Sequence, residues 1–154
     1  RIKIKKMVEL KKRLSVILES PQDTNVKLLK ICQLLDKEIS YYNWTGFYFK
    51  NGDKEELVLG PYVGAVTDHI IIPFGKGICG QVAVSGETFV VPDVHAQDNY
   101  LSCSIDTKAE IVVPIFKNGE NIGQIDIDSH SIDPFTKEDE ELLNWLSEEV
   151  AKVL

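Results

Sequence analysis

The chain is organised around residues 73–114, which read PFGKGICGQVAVSGETFVVPDVHAQDNYLSCSIDTKAEIVVP. This stretch begins with a glycine-rich turn, continues through a β-prone segment, and then forms a long polar loop that ends at the apolar run starting at Ile111. Loops of this length inside a compact domain are usually functional or disordered. Because this loop has apolar side chains to bury, we favour a functional loop, and Cys103 within it is the first candidate for chemistry. The apolar residues of the loop are Val94, Tyr100, Leu101 and Ile105.

Composition narrows the class of protein. With 154 residues and 44% hydrophobic residues, the chain is expected to form one domain that folds without disulfide or metal support. The net charge of -7 argues against nucleic acid or an anionic membrane as a partner. No apolar run approaches the ~20 residues of a membrane span. The charged N-terminal segment lacks a signal-peptide core, so we expect a cytoplasmic protein.

The cysteine spacing argues against two common frameworks. Three cysteines, an odd number without regular short spacing, predict neither a secreted disulfide framework nor a zinc site of the two-pair kind. In a reducing compartment they would remain thiols. The sequence also lacks a phosphate-binding loop and a serine nucleophile elbow. The sequence thus contains no pattern that indicates a metal or an organic cofactor.

Apolar spacing predicts two helices within residues 1–40 and one helix over residues 136–154. The stripe of the first helix consists of Ile4, Met7, Leu10, Leu14 and Ile17. It would suit pairing with the second helix or with a second copy of the chain, which makes a homodimer an open expectation. Cys32 lies on the apolar stripe of the second helix, so we expect a buried packing residue there. Thr136 and Asp139 resemble a capping box at the start of the last helix.

Residues 43–129 are predicted to form the sheet and its loops. The Asn51-Gly52 and Asn118-Gly119 pairs are strong hairpin signals, and each lies between β-prone runs. Gly60-Pro61 is expected to end the second strand, and Gly86 is expected to end a short helix that follows the glycine turn. The arrangement of about six strands in hairpins with helices before and after predicts an α+β fold with an antiparallel sheet.

Three acidic residues are expected to share one surface. Alternation along a strand puts Asp126 and Asp128 on the same face, and Glu110 begins the partner strand of their hairpin. For any one of these acids, a solvated strand position is the simpler interpretation. As a cluster, repulsion between the carboxylates would raise at least one pKa, so that the group could donate a proton or bind an ammonium.

The thiols and histidines allow more than one interpretation. Cys103 is either a partly buried loop thiol or a nucleophile. Cys79, between two glycines, is either a small residue packed in a turn or a second reactive thiol. His95 is interpreted as a hydrogen-bonding loop residue, and no partner can be named for His69 or His130.

Six motifs resemble those of the free methionine-(R)-sulfoxide reductases, which are single GAF domains. They are Trp44-Thr-Gly-Phe-Tyr, Leu59-Gly-Pro, Ile72-Pro-Phe-Gly-Lys-Gly-Ile-Cys-Gly, Val91-Pro-Asp-Val-His, Glu110-Ile-Val-Val-Pro and Ile125-Asp-Ile-Asp-Ser. The resemblance runs from about residue 43 to the last helix, in the family's order. It implies one GAF domain over residues 1–154, with a six-stranded antiparallel sheet flanked by helices on both sides.

The resemblance also implies site residues. Cys103 corresponds to the family's nucleophile, and the expected pocket residues for methionine sulfoxide are Trp44, Tyr48, Glu110, Asp126 and Asp128. Two positions depart from the family. Ser104 replaces an Asp that usually follows the nucleophile, and His69 stands where a resolving cysteine is often found. The resolving thiol is therefore open, and we favour Cys79 over Cys32 because a turn can approach the loop more easily than a packed helix can.

The expected reaction follows from this resemblance and from thiol chemistry. Asp128 or Glu110 would protonate the sulfoxide oxygen of free methionine (R)-sulfoxide while the Cys103 thiolate attacks the sulfur. Methionine would leave, and the sulfenic acid would be resolved by a second thiol and reduced by thioredoxin or a small thiol. The alternative is a non-catalytic GAF module for small-molecule sensing or interaction, which the missing cysteine at position 69 favours.

Overall fold

The computed structural model describes residues 2–101 and 105–154. Within these ranges the helices are α1 (Ile2–Glu19), α2 (Thr24–Glu38), α3 (Gly77–Ser85) and α4 (Lys137–Ala151). The strands are β1 (Trp44–Lys50), β2 (Glu56–Val63), β3 (Ile71–Pro73), β4 (Phe89–Val91), β5 (Ala109–Lys117) and β6 (Glu120–Ser129). A single 3-10 turn, Val94–Ala96, lies in the loop between β4 and β5.

The strands form one antiparallel sheet in the order β3-β2-β1-β6-β5-β4. This confirms the predicted α+β class and the six-stranded antiparallel sheet. The β5–β6 hairpin turns at Asn118 and Gly119, whose φ angles of 53° and 79° are both positive, as a two-residue turn of this hand requires. Each of the two predicted hairpins thus joins neighbouring strands, β1 with β2 and β5 with β6.

Helices cover both faces of the sheet, as expected. On one face, α1, α2 and α4 pack over β1, β5 and β6, and the core there includes Leu14, Leu28, Ile31, Ile127 and Leu146. Cys32 is fully buried in this core, which confirms its predicted packing role. On the other face, α3 and the loops enclose a second apolar cluster that contains Trp44, Tyr48, Cys79 and Val112.

The buried stripe of α1 differs from the predicted one. Met7, Leu10, Leu14 and Leu18 are buried, whereas Ile4 is 56% exposed and Ile17 is only partly buried. The spacing of three, four and four residues keeps the observed stripe on one line, and α1 uses that line to pack against α2 and α4. Ile4 precedes the first residue of that line, so the prediction extended the stripe one turn too far.

The expected end of β2 at Gly60-Pro61 is wrong. The strand continues to Val63, and its register against β1 shifts between the Gly46 and Tyr48 positions. Such an irregularity accepts a proline, because the missing N–H falls where the ladder is already interrupted. In addition, the Pro61 carbonyl accepts a hydrogen bond from the Cys32 thiol, with 3.7 Å between the heavy atoms.

The predicted capping box at the start of α4 is confirmed, and it is part of a larger junction. The Thr136 N–H donates to Oδ2 of Asp139 at 2.8 Å. The hydroxyls of Tyr41 and Tyr42 each donate to Oδ1 of the same carboxylate at 2.7 Å, and Lys3 contributes an ion pair at 3.2 Å. One buried carboxylate thus joins α1, the connection before β1, and α4.

Two smaller expectations concern exposure and membranes. Val94 is fully buried beneath the loop, but Ile105 is 97% exposed, so the loop buries fewer apolar residues than expected.

Within the described ranges, every helix is too short or too polar to cross a bilayer.

Candidate functional site

The face of the sheet beneath α3 carries all of the strand residues that the sequence proposed for a site. Trp44 on β1 pairs with Asp128 on β6, which pairs with Glu110 on β5. Two residues further along each strand, Asp126 on β6 pairs with Gly46 on β1 and with Val112 on β5. Because paired positions in an antiparallel sheet project to the same side, the aromatic and acidic side chains share this surface.

The three acids are buried. Glu110 is 2% exposed, Asp126 0% and Asp128 1%. The interpretation of each as a solvated strand position is therefore wrong. Buried carboxylates are rare without partners or a function, because removing a carboxylate from water is costly.

A small enclosed cavity lies between α3 and the centre of the sheet. Its volume is about 10 Å³. Its walls are formed by His69, Ile72, Lys76, Gly77, Ile78, Cys79, Leu101, Glu110 and Asp126. The Cys79 thiol donates a hydrogen bond to Oε2 of Glu110 over 3.8 Å. The cavity thus brings together three of the predicted residues, Cys79, Glu110 and Asp126, while Trp44, Tyr48 and Asp128 lie on the same face outside its walls.

Asp126 has a shifted pKa. Burial raises the pKa of its carboxyl above the usual range, although contacts with Glu110 and Cys79 act in the opposite direction. A carboxyl with a raised pKa retains its proton at a higher pH and can donate it to a bound oxygen. One member of the acidic cluster is thus shifted as expected, but the cause is burial and not repulsion between carboxylates, because the contact with Glu110 lowers the pKa of Asp126.

Trp44 is fixed in place rather than free to move. Its indole N–H donates to the carbonyl of Ala65 at 3.0 Å, and its ring stacks on Tyr62 with 5.2 Å between centroids. The ring also lies over Gly46, where an added Cβ would come within 2.6 Å of it. Tyr48 is anchored similarly, since its hydroxyl donates to the carbonyl of His69 at 2.8 Å.

Cys103 lies outside the described residues, as do Ser102 and Ser104. Its role therefore stays a prediction. The nearest described residue before it, Leu101, packs on the glycine turn, because a Cβ added at Gly77 would lie 3.0 Å from the Leu101 side chain.

Residues 28–154 match the family model described as the GAF domain. The chain belongs to the GAF domain family. It is 37% identical to free methionine-R-sulfoxide reductase of Escherichia coli, over 79% of this chain and 72% of that protein. It is 43% identical to the Saccharomyces cerevisiae protein of the same name over 71% of this chain, but it spans only 62% of the yeast protein's length.

A solved structure shows the same likeness in three dimensions. Free methionine-R-sulfoxide reductase of Neisseria meningitidis, in complex with its substrate, superposes on this GAF domain with a TM-score of 0.86. The two chains are 35% identical, and the alignment covers 94% of this chain and 84% of the other. The fold implied by the sequence motifs is thus confirmed.

The cavity of this GAF domain also contains groups that could contact a cation. Donor atoms of Cys79, Glu110 and Asp126 lie within 4.8 Å of one another. Among residues 2–101 and 105–154 the cluster offers three ligand atoms, one fewer than a structural zinc site uses.

Several residues of this site were not among those predicted from the sequence. His69 and Lys76 line the cavity, and Gln124, fully buried, donates from Nε2 to the Cys79 carbonyl at 3.1 Å. Gln124 could have been found, because it lies two residues before Asp126 on the same face. His69 and Lys76 lie in a loop and a turn, where no periodic pattern indicates the direction of a side chain.

The GAF domain also has a wider groove of about 550 Å³, far from these polar groups. It lies between α2 and β2 and is lined mainly by aliphatic and aromatic side chains, including Val26, Leu29, Phe49, Val58 and Leu59. Of the residues that the structure describes, no acid, thiol or histidine lines it. The small cavity, where the reactive groups converge, is therefore the candidate active site.

Proposed function

We propose that this GAF domain reduces free methionine (R)-sulfoxide to methionine. The observation that carries the proposal is the burial of Glu110, Asp126 and Asp128 on the face of the sheet that also holds Trp44 and that Cys79 of α3 packs against. Such a surface can bind an ammonium group and protonate an oxygen while excluding water. The named reductases among the relatives support the same reaction.

In the first half-reaction the Cys103 thiolate attacks the sulfoxide sulfur. A carboxyl group protonates the sulfoxide oxygen, and the sequence analysis proposed Asp128 or Glu110 for this role. Asp126 is a further candidate for the proton donor, because burial raises its pKa. The oxygen ends on Cys103 as a sulfenic acid, so the cysteine sulfur loses the two electrons that the substrate sulfur gains, and methionine leaves.

In the second half-reaction a thiol attacks the sulfenic sulfur. We assign this step to Cys79, and the reaction forms a Cys79–Cys103 disulfide and releases water. Glu110, which accepts the hydrogen bond of the Cys79 thiol, is placed to take its proton. A dithiol such as thioredoxin, or two equivalents of a small thiol, then reduces the disulfide and regenerates both cysteines.

Two further features of the protein remain proposals. Residues 1–154 are proposed to act as one GAF domain in the cytoplasm, and the packing of α1 on α2 and α4 supports the inclusion of the N-terminal helices. A homodimer through α1 is proposed because its outer surface exposes aliphatic side chains. These are Ile2, Ile4, Val8 and Val16.

An assay of free methionine tests the proposed function. Purified protein is incubated with racemic methionine sulfoxide and dithiothreitol, and the expected product is methionine from the R epimer only. Glu110→Gln and Asp128→Asn are expected to lower the turnover rate by a factor of about 10² if the group donates a proton. A higher KM with an unchanged rate would instead assign the group to ammonium binding.

A non-catalytic sensing module is the second candidate function. It is favoured by His69, which stands where the resemblance of the motifs implies a cysteine, and by the small volume of the cavity. This candidate predicts that methionine or its sulfoxide raises the melting temperature while no methionine is formed. Turnover by the wild-type protein would exclude it.

A further inference from the structure

The cavity is too small for an amino acid. A volume of about 10 Å³ holds about one water molecule, so a methionine-sized ligand requires part of the wall to move. Glu110 and Asp126 lie on central strands, and Cys79 lies on α3, all held by main-chain hydrogen bonding. The movable part of the wall must therefore come from a loop.

His69, Lys76 and Leu101 are the wall residues that lie outside the helices and strands. Lys76 is held at the start of α3, because its N–H donates to the Pro73 carbonyl at 3.1 Å and its carbonyl accepts from the Gly80 N–H at 2.9 Å. The His69 carbonyl is held from inside the core by the Tyr48 hydroxyl. Leu101 instead covers the cavity from the loop between β4 and β5, in van der Waals contact with the backbone at Gly77. Leu101 is only partly buried and packs against the second apolar cluster from its edge, so its segment is the wall element that can open with the least loss of core packing.

Asn99 ties this segment to the glycine turn. Its Oδ1 accepts a hydrogen bond from the Gly77 N–H at 2.8 Å, and its Nδ2 donates to the Gly75 carbonyl at 2.7 Å. From α3, Gln81 donates from Nε2 to the Asn99 carbonyl at 3.1 Å and to the Gly77 carbonyl at 2.8 Å. The side-chain amides of Asn99 and Gln81 therefore hold the loop and the glycine turn together, because they bond backbone groups of both segments.

These hydrogen bonds are suited to reversible opening. Asn99 is exposed, so water can replace its partners at little net cost. Gly75 and Gly77 have φ angles of 86° and 66°, a conformation that leaves their backbone groups accessible to the amide. Local segments held by exposed hydrogen bonds open more readily than the core does.

We propose that Asn99, assisted by Gln81, is a positioning residue that clasps residues 99–101 to the glycine turn, seats Leu101 as a wall of the cavity, and releases it to admit a ligand. The clasp stands on the geometry of the described residues alone. Only its kinetic consequence rests on the proposed reductase activity.

The test measures access to the Cys79 thiol, which is buried in the cavity wall. Alkylation by iodoacetamide is followed by mass spectrometry in a Cys103→Ser background, so that the tryptic peptide 77–108 reports Cys79 alone. Asn99→Ala is expected to raise the Cys79 rate about tenfold, the effect of losing one or two hydrogen bonds on an opening equilibrium. Asn99→Asp keeps the acceptor but loses the donor, and its Cys79 alkylation rate is expected to lie between those of the parent and of Asn99→Ala.

Two controls make the result decisive. Gln97→Ala removes an amide from the same loop without touching the clasp and is expected to leave the Cys79 rate unchanged. Cys32, buried in the core on the opposite face, reports global unfolding in the same samples. A Cys79 rate in Asn99→Ala within twofold of the parent overturns the proposal. Equal acceleration at Cys79 and Cys32 also overturns it, because the whole domain is then opening.

The kinetic measurement uses the same substitutions with Cys103 intact. Asn99→Ala is expected to lower kcat about tenfold without raising KM, because entry becomes easier while the closed geometry is less populated. A rise in KM at unchanged kcat would contradict the clasp. If the parent protein does not reduce methionine sulfoxide, the proposed function fails, and the alkylation contrast still decides the clasp.

Discussion

The Cys79 thiol on α3 donates its hydrogen bond to the Glu110 carboxyl on β5 across 3.8 Å. This contact links the helix to the sheet at the floor of the cavity. A thiol attacks only as a thiolate, and a carboxylate in hydrogen-bond contact can accept the proton that the thiol loses. In the proposed cycle Glu110 therefore has a second role, as the base that activates Cys79 when it resolves the sulfenic acid.

The first prediction is that Asp126→Asn stabilises the protein at neutral pH. Burial raises the pKa of Asp126 in the folded state. The stability that this group contributes is full below its unfolded pKa of ~3.9 and is lost as the pH rises through the folded value. The neutral amide avoids that loss. Urea unfolding at pH 4 and pH 8 should show a larger gain for the variant at pH 8.

The same substitution is expected to lower the reductase activity, because an amide cannot donate the acidic proton or bind an ammonium. Stability and activity would thus change in opposite directions, as is common for residues kept for function. A variant that is less stable than the wild type at pH 8 would show that the Asp126 carboxylate is well compensated in the fold.

The shared face of Asp126 and Asp128 could be predicted, because side chains alternate along a strand. The position of Glu110 could not, because the pairing of Lys117 with Glu120 at the turn would by itself place Glu110 opposite Ile127. The register of β5 against β6 shifts by one residue between Ile115 and Phe116, and this irregularity brings Glu110 opposite Asp128. The burial of the three acids could not be predicted either, because it depends on α3 packing over that face. The direction of the His69 side chain depends on loop conformation, for which the sequence has no repeat to read.

The second prediction concerns the Asp139 junction. Burial alone would raise the pKa of Asp139, but hydrogen bonds from Thr136, Tyr41 and Tyr42 outweigh it and lower the pKa. Asp139→Asn leaves a tyrosine hydroxyl without its acceptor and should cost about 2 to 3 kcal/mol of unfolding free energy at pH 7.

The sign of its pH dependence follows from linkage. Because the folded pKa is lowered, the unfolded chain binds more protons, and the contribution present above pH ~3.9 is lost as the pH falls through the folded value. The difference between wild type and Asp139→Asn in urea unfolding should narrow from pH 7 toward pH 3. If the difference in unfolding free energy stays the same from pH 7 to pH 3, the loss of stability in Asp139→Asn comes from packing and not from the carboxylate charge.

The third prediction is that Gly46→Ala displaces the Trp44 ring. An added Cβ would lie 2.6 Å from both the Trp44 ring and the Tyr62 Cβ, so one of them must move. Overpacking of this kind costs about 1 to 3 kcal/mol. Urea unfolding and tryptophan fluorescence measure the two effects. Gly119→Ala is the control: it strains a turn residue with a φ of 79° but has no atom within 4 Å of the new Cβ, so the fluorescence should not change.

The fourth prediction separates the nucleophile from a structural thiol. Cys103→Ser should abolish methionine formation and leave the urea midpoint unchanged. Burial raises the pKa of the Cys32 thiol, so this residue stays un-ionised and takes no part in the chemistry. Cys32→Ala should cost about 1 kcal/mol of stability and keep full activity. Equal losses of activity in the two variants would remove Cys103 from its proposed role.

The last prediction concerns the resolving thiol, for which His69 replaces the cysteine often found in such reductases. Leu101, two residues before Cys103, packs against Gly77, two residues before Cys79, so loop and turn approach each other on either side of the cavity. A disulfide needs Cα atoms within roughly 7 Å, and Cys32 lies in the core on the opposite face of the sheet.

Substrate without reductant should therefore yield one equivalent of methionine and a Cys79–Cys103 disulfide in peptide mass mapping. In Cys79→Ser the sulfenic acid should persist and be trapped by dimedone, while turnover with dithiothreitol continues. If the wild-type protein keeps a sulfenic acid with Cys79 still reduced, an external thiol resolves Cys103 directly, and Cys79 only packs against Glu110.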